Sequence, residues 1–108
     1  MTASRSPDRR QLPDLPVLDA LDELEATLID RHSAILVAPP GAGKTTVVPI
    51  ALLDADWLGD QRIVMLEPRR LATRAAAQRM AVLTGTRVGE LIGYQTRDER
   101  HIGPDTRI

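Results

Sequence analysis

The sequence predicts an α/β fold in which helices flank a parallel β-sheet. Two uninterrupted apolar runs, at residues 34–37 and 63–66, have the length and composition of strands that are covered on both faces. Segments with apolar residues at three- and four-residue steps precede, separate and follow these runs. A strand, a helix and a second strand in this order form a right-handed βαβ unit, so the sheet is expected to be parallel.

The composition limits the size of the fold and the classes of function. A chain of 108 residues holds at most one domain. With 14 basic and 15 acidic side chains the net charge is −1, so any nucleic-acid-binding surface has to be local. The absence of cysteine excludes a disulfide framework and a thiolate metal site. No apolar run is long enough to span a membrane and no signal-peptide core is present, so a cytoplasmic protein without membrane contacts is expected.

The chain begins with a segment that has no apolar periodicity. Residues 1–14 are rich in Ser, Pro, Arg and Asp, and we predict a flexible N-terminal tail there. The domain then covers residues 15–108. Its first helix is predicted over about 17–30, because Leu18, Leu21, Leu24 and Leu28 recur on one face while acidic residues occupy the others.

A phosphate-binding loop is predicted directly after the first apolar run. Residues 38–46 read Ala-Pro-Pro-Gly-Ala-Gly-Lys-Thr-Thr, which departs from the P-loop pattern only by Ala38 at the position of its first glycine. Gly41 and Gly43 allow the backbone N–H groups to curl around phosphate oxygens. Lys44 supplies a cation for the β- and γ-phosphates, and the Thr45 hydroxyl is placed to hold Mg²⁺. We assign nucleotide binding here to Pro40, Gly41, Ala42, Gly43, Lys44, Thr45 and Thr46, with Lys44 and Thr45 as catalytic residues and Thr45 as the metal ligand.

The second helix and second strand follow this loop. The helix is predicted over about 44–53, and Pro49 inside it is expected to remove a backbone hydrogen bond and bend it. A loop rich in Asp and Gly then leads to the strand predicted at 62–66.

A third helix is predicted from about residue 69 to Thr84, with Gly85 as its stop signal. Its inner face is expected to carry the side chains of Leu71, Ala75, Met80 and Leu83.

Arginines crowd the start of this helix. Arg69, Arg70 and Arg74 place cations where the helix dipole disfavours them, so a negative group is expected nearby. The helix start lies at the same sheet edge as the glycine-rich loop, which is where doubly wound sheets bind ligands. Phosphates of a nucleotide or a nucleic acid are therefore candidates. The alternative is that these arginines form structural ion pairs, with Glu67, Glu90 and Asp54 as the expected partners.

The last third of the chain is strand-like at 88–94, has a charged hairpin-like segment at 97–105, and ends in residues that resemble the opening of a strand. A sheet that stops in the middle of an element suggests that the chain is a fragment. The apolar faces at 35–37 and 63–65 are then expected to be partly uncovered.

Three sequence blocks together resemble one helicase family. They are the loop at 38–46, Leu-Glu-Pro-Arg-Arg-Leu-Ala-Thr-Arg-Ala-Ala-Ala at 66–77, and Gly-Tyr-Gln-Thr-Arg at 93–97 with Gly-Pro-Asp-Thr-Arg-Ile at 103–108. Their order and spacing are similar to those of the DEAH/RHA group of superfamily 2 RNA helicases, and most similar to the bacterial HrpB-like type. The resemblance covers residues 15–108 and implies an incomplete RecA-like P-loop NTPase lobe, with a parallel sheet and flanking helices.

This resemblance also implies a reaction and roles for individual residues. It implies ATP-dependent unwinding of RNA, with ATP and Mg²⁺ as cofactors and single-stranded RNA as partner, and it leaves DNA open. Arg69 and Arg70 match the positions that hold the nucleic-acid backbone, and Arg79 falls beside the nucleotide base. Thr73 and Asp98 depart from the pattern, which favours an alanine and a bulkier apolar residue there.

The resemblance further implies that essential parts lie outside the chain. The Asp-Glu-x-His box, which positions Mg²⁺ and the attacking water, is expected after residue 108, and the arginine fingers are expected in a second lobe. The chain alone is therefore expected to be nearly inert.

A second class of function fits the same loop. The apolar run at 63–66 ends in Glu67, as a strand that presents a carboxylate to Mg²⁺ does. A compact P-loop nucleotide-binding protein or kinase would use that arrangement. The discriminating feature is Pro68-Arg69-Arg70, which a motor that moves along a nucleic-acid strand needs and a small-molecule kinase does not.

Overall fold

The computed structural model describes residues 20–37 and 45–108. Its elements in chain order are α1 (Leu21–Arg31), α2 (Val47–Leu52), α3 (Arg70–Thr84), β1 (Tyr94–Gln95) and β2 (Arg100–His101). The predicted tail at 1–14 and the loop residues 38–44 lie outside the described residues. Within the described ranges, no helix has the length and hydropathy that crossing a membrane requires.

The core is formed by nearly all of α2, by one face each of α1 and α3, and by residues of the segments at 53–58, 91–94 and 108. Helix α2 contacts both α1 and α3. Val47 and Ile50 of α2 and Ile92 are completely buried, and Leu21 is the buried residue of α1. The side chains that α3 adds to this core are Ala76, Ala77, Met80 and Ala81. Helix α2 is therefore the central element, and the other helices cover it.

Helix α2 begins later than the sequence predicts, and the expected bend at Pro49 is wrong. The helix starts at Val47, with Thr46 as its N-cap residue, so Pro49 is the third residue of the first turn. The N–H groups of the first turn have no partner within the helix, so the missing N–H of proline costs no hydrogen bond there. Pro49 is instead a buried apolar residue of the core.

Helix α3 has its predicted bounds, but the residues on its buried face differ from the predicted ones. Gly85 ends the helix at φ 68°, as its C-cap residue. The buried stripe follows positions 76, 77, 80 and 81, whereas Leu71 is 82% exposed. Leu71 and Ala75 are thus wrongly assigned to the inner face, because the stripe at three- and four-residue steps that reaches α2 starts from Ala76.

The parallel sheet of the prediction is not observed among the described residues. Their regular sheet consists of β1 and β2, which are antiparallel with Tyr94 opposite His101 and Gln95 opposite Arg100. The segments at 34–37 and 62–66, which were predicted to be strands, do not form regular strands. A strand is defined by its hydrogen-bonded neighbours, and the part of the chain that the structure describes supplies few of them.

Along segment 61–67, exposed and partly buried side chains nevertheless alternate, as they do in an extended chain with one covered face. Ile63 and Met65 are partly buried against the core, whereas Val64 is 80% exposed and Leu66 is 91% exposed. The expectation that both faces of this run are covered is therefore wrong for the chain as it stands. Ile35 and Val37 are also exposed, at 93% and 88%. The expectation that these apolar faces are partly uncovered is confirmed.

The last three residues tie two distant segments together. The N–H groups of Arg107 and Ile108 donate to the carbonyl of Leu91, and the Gly93 N–H donates to the carbonyl of Ile108. On the other side, the Ile63 N–H donates to the carbonyl of Arg107 at 2.7 Å. Residues 106–108 thus lie between the 91–93 segment and Ile63, in a strand-like pairing that is too short for a regular strand.

Candidate nucleotide and nucleic-acid site

Two residues of the predicted phosphate-binding loop are described, and both lie at the entrance to α2. The other assigned residues, Pro40, Gly41, Ala42, Gly43 and Lys44, fall in the range that the structure does not describe. Thr45 is exposed in the turn before the helix, and Thr46 is half-buried at the N-cap position without a side-chain cap hydrogen bond. Both threonines therefore precede a helix whose first five residues are buried.

Arg69 lies at the start of α3 with its backbone fixed and its side chain exposed. It is the N-cap residue, with extended backbone at φ −126° and ψ 137°. Its carbonyl accepts hydrogen bonds from the N–H and the hydroxyl of Thr73, both at 2.9 Å. No ion pair involves Arg69 among the described residues, and the first turn of α3 contains no acidic residue.

Arg70 and Arg74 each meet a carboxylate of the hairpin formed by β1 and β2. The Nη1 atom of Arg70 lies 2.5 Å from Oδ2 of Asp98, with 64% and 63% of the two side chains exposed. The Nη1 atom of Arg74 lies 4.0 Å from Oε1 of Glu99. The ion pairs that the alternative interpretation of these arginines expected are therefore present for Arg70 and Arg74.

The partners in these pairs differ from the expected ones, which were Glu67, Glu90 and Asp54. Glu90 instead accepts a hydrogen bond from the N–H of Arg87 through its Oε1 atom, at 2.7 Å.

Glu99 is the centre of a small hydrogen-bonded network. Its Oε2 atom accepts a hydrogen bond from the Tyr94 hydroxyl at 2.9 Å and lies 3.1 Å from Nε2 of His101. These two hydrogen bonds, that of Tyr94 first, hold the pKa of Glu99 below its ordinary value, and the positive charge of Arg74 adds to the effect. Burial, followed by the hydrogen bond to Glu99, raises the pKa of Tyr94.

Arg79 is exposed and lies apart from the arginines at the helix start. It is nine residues beyond Arg70 on α3, which corresponds to about 14 Å along the helix axis. The structure does not bring Arg79 together with Arg69 and Arg70. Its predicted place beside a nucleotide base stays a prediction.

Glu67 is one of the residues that line a cavity of about 380 Å³ between segment 62–67 and α3. Among the described residues of the loop site, Thr45 and Thr46 do not line this cavity. Within residues 20–37 and 45–108, no group of three or more His, Asp or Glu side chains is arranged to hold a metal ion. The kinase-like alternative, with Glu67 on Mg²⁺, stays a prediction.

Sequence reasoning missed Asp98 and Glu99 as the partners of the arginines. The four consecutive charged residues at 97–100 indicate an exposed turn, but they do not show which element the turn faces. The pairing depends on the position of the hairpin beside α3, which no local pattern encodes.

Comparison with known proteins identifies relatives that share one activity. The chain is 41% identical over 97 residues to the ATP-dependent RNA helicase HrpB of Escherichia coli, covering 90% of this chain and 12% of that protein. It is 36% identical over 94 residues to the ATP-dependent RNA helicase HrpA of Borreliella burgdorferi, covering 87% and 11%. It is 35% identical over 109 residues to the mouse (Mus musculus) ATP-dependent RNA helicase DHX33, covering 97% and 16%. No protein-family model matches the chain.

These relatives share a segment that includes nearly all of this chain, although the chain spans only 11 to 16% of their length. The resemblance drawn from the three sequence blocks is thereby confirmed, and it favours a helicase over a kinase. The chain is thus a relative of one segment of the DEAH-type helicase family, to whose proteins it is 35 to 41% identical over about nine-tenths of its length.

Proposed function

We propose that the chain forms the nucleotide-binding and RNA-contacting part of a RecA-like lobe in a HrpB-type ATP-dependent RNA helicase. The observation that carries this proposal is the similarity over about nine-tenths of the chain to proteins whose names give that activity. The P-loop residues and the arginines of α3 both lie in this chain, so one segment contains residues for ATP and residues for RNA.

The parallel sheet of such a lobe would use three segments of this chain. They are residues 34–37, 62–66 and 106–108. The one-sided burial of Ile63 and Met65 and the hydrogen bond from Ile63 to Arg107 support the proposal. The exposed side chains of Val64 and Leu66 would form the face that further elements of a lobe cover.

ATP with Mg²⁺ fits the residues at the entrance to α2. Thr45 lies in an exposed turn, where its hydroxyl is available to a cation, and the buried α2 holds that turn in place. Lys44 would place its ammonium group on the β- and γ-phosphates, and Gly41 and Gly43 would bring backbone N–H groups to them. When bound, Mg²⁺ supplies neutralisation of the phosphate charge.

Single-stranded RNA would meet the first turn of α3. Arg69 is exposed and unpaired among the described residues, and Arg70 has donors left beside the one that Asp98 accepts from. A motor that accepts any sequence contacts the backbone, because phosphates carry no sequence information. We assign Arg69 and Arg70 to that contact.

Replacing Lys44 tests the nucleotide site. In the helicase with all its lobes, Lys44→Ala should reduce steady-state ATP hydrolysis by at least about a hundredfold, because it removes a charge that stabilises the transition state. Arg31→Ala, which removes an exposed cation from the end of α1, is the control and should hydrolyse ATP normally. Hydrolysis near the parent rate in the Lys44 variant would overturn the assignment.

Lys44 is also the single lysine of the sequence, which allows a direct binding test on the chain itself. An amine-reactive reagent should modify its Nζ atom, and ATP with Mg²⁺ should protect it when phosphates occupy the loop. Mass spectrometry of the modified peptide measures the protection, with the N-terminal amine as the internal reference. Equal labelling with and without saturating nucleotide would show that the chain alone does not place Lys44 on the phosphates.

A further inference from the structure

Two ion pairs join the same two elements, the β1–β2 hairpin and the N-terminal part of α3. Arg70 and Arg74 stand one turn apart on the helix, and Asp98 and Glu99 are neighbours at the tip of the hairpin. The carboxylates supply the negative charge that the helix start lacks, since no acidic residue lies in its first turn. In the free protein, an internal anion thus stands where an RNA phosphate is expected.

Hydrogen bonds within the hairpin hold its tip, residues 96–99, in a defined conformation. The Thr96 N–H donates to the carbonyl of Glu99 at 2.9 Å, and the Glu99 N–H donates to the Thr96 hydroxyl at 3.2 Å. Tyr94 and His101, which face each other across the two strands, both bond to the carboxylate of Glu99. Glu99 is therefore fixed within the hairpin, and Asp98 projects from a closed turn.

Asp98 is much less constrained than Glu99. Among the described residues, its carboxylate bonds to Arg70 and to no other group. Because both side chains are more than half exposed, the pair contributes little to stability and exchanges readily with solvent. A guanidinium has five donors and binds a phosphate through two parallel hydrogen bonds, which the single Nη1 contact to Asp98 does not match.

We propose that the hairpin tip is a built-in competitor for RNA, in which Asp98 occupies the guanidinium of Arg70 until a backbone phosphate displaces it. This inference rests on the proposed RNA contact of Arg69 and Arg70. The apparent affinity for RNA is then lower than the affinity that unpaired arginines would have. The difference is set by the free energy needed to break the Arg70–Asp98 pair. Asp98 sets that affinity without touching RNA itself.

Binding of a short fluorescein-labelled oligouridylate to the chain at low salt, followed by fluorescence anisotropy, tests the proposal. Asp98→Asn should tighten binding by about 1.5- to 5-fold, which is the range that an exposed ion pair of this kind allows. The tightening should vanish when Arg70→Ala is already present, because no guanidinium remains to be released. Asp60→Asn removes the same charge from an exposed turn and is the matched control.

The outcomes separate the competitor from the RNA contact. If Arg70→Ala weakens binding and Asp98→Asn changes nothing or weakens it, the proposed competition by Asp98 is overturned and the RNA contact of Arg70 stands. If Asp98→Asn tightens binding equally with and without Arg70, the effect is a general charge effect and the competitor is again overturned. If Arg70→Ala binds the oligonucleotide as tightly as the parent does, the RNA contact of Arg70 is overturned, and the competition by Asp98 with it. Asp98→Ser replaces Asp98→Asn if circular dichroism shows that the latter is unfolded.

Discussion

Helix α2 and the first turn of α3 differ in how they are embedded in the protein. Five of the six residues of α2 are buried, and two of them, Val47 and Ile50, are completely inaccessible. The start of α3 is exposed, and its arginines are charged groups on flexible side chains. Both helix starts are proposed to bind phosphate groups, one of a nucleotide and one of RNA.

The difference in burial agrees with the two proposed ways of binding phosphate. A loop that positions a reacting phosphate gains from a rigid support, because catalysis depends on placement of the reacting atoms. A surface that slides along a nucleic-acid backbone gains from side chains that exchange one anion for another. We therefore expect substitutions in α2 to act through stability, and substitutions at the start of α3 to act through binding.

The largest effect is expected from a cavity in α2. Ile50→Ala removes a fully buried side chain and should destabilise the chain by about 2–5 kcal/mol. Leu71→Ala on α3 is the matched control, because that side chain is 82% exposed and its loss should change stability by less than about 0.5 kcal/mol. Urea denaturation followed by circular dichroism measures both. An equal loss of unfolding free energy in the two variants would contradict the expected difference between α2 and α3.

The exposed helix start should show the opposite behaviour. Replacing Arg69 and Arg70 together with alanine should leave stability nearly unchanged and weaken RNA binding for every sequence. The slope of log affinity against log salt should fall by about 1.4, which corresponds to two phosphate contacts on a single strand. A double variant of Arg31 and Arg87 removes the same charge elsewhere. An unchanged salt slope would return Arg69 and Arg70 to a structural role.

The same contrast explains what the sequence could predict. Helix α3 was predicted to within a residue, because its apolar period and Gly85 are local signals. The late start of α2 was missed, because the sequence pattern does not show that Thr45 and Thr46 form a turn before the helix. The parallel sheet was predicted from two apolar runs, but a strand also requires hydrogen-bonded neighbours. Among residues 62–66, only Ile63 has a backbone hydrogen bond to another segment, the one to Arg107.

The site divides in a similar way. The arginines at the start of α3 were identified because cations there oppose the helix dipole, a conflict visible in the sequence. Their partners Asp98 and Glu99 were missed, because 28 residues separate Arg70 from Asp98 and only the folded hairpin brings them together. Electrostatic conflict can be read from a sequence, whereas its resolution depends on the tertiary structure.

A smaller effect is expected at the end of α3. Gly85 has a positive φ of 68°, a conformation that costs an L-residue about 1–2 kcal/mol. Gly85→Ala should therefore lower stability by about 1 kcal/mol, without a steric clash, since no atom beyond the neighbouring residues lies within 4 Å of the added Cβ. Gly85→Asn is the informative control, because asparagine tolerates this conformation better. Thermal denaturation showing an equal loss for Asn and Ala would contradict the backbone explanation.

The smallest effect is expected from the pH dependence of the hairpin. The pKa of Glu99 is lower in the folded chain than its ordinary value of 4.5, because the ionised carboxylate accepts hydrogen bonds from Tyr94 and His101. The ionised form thus stabilises the fold above the ordinary pKa, and this contribution is lost as the pH falls through the lowered value. Stability should therefore decline on acidification below about pH 5.

Glu99→Gln should flatten this decline, which urea denaturation at neutral pH and at successive acidic pH values measures. Tyr94→Phe removes only the hydroxyl, whose hydrogen bond is the largest cause of the lowered pKa, so it should flatten the decline in part. The carboxylate is partly exposed, so the effect is modest and should shrink with added salt. A Glu99→Gln variant that declines as steeply as the parent would show that the hairpin network does not contribute to acid sensitivity.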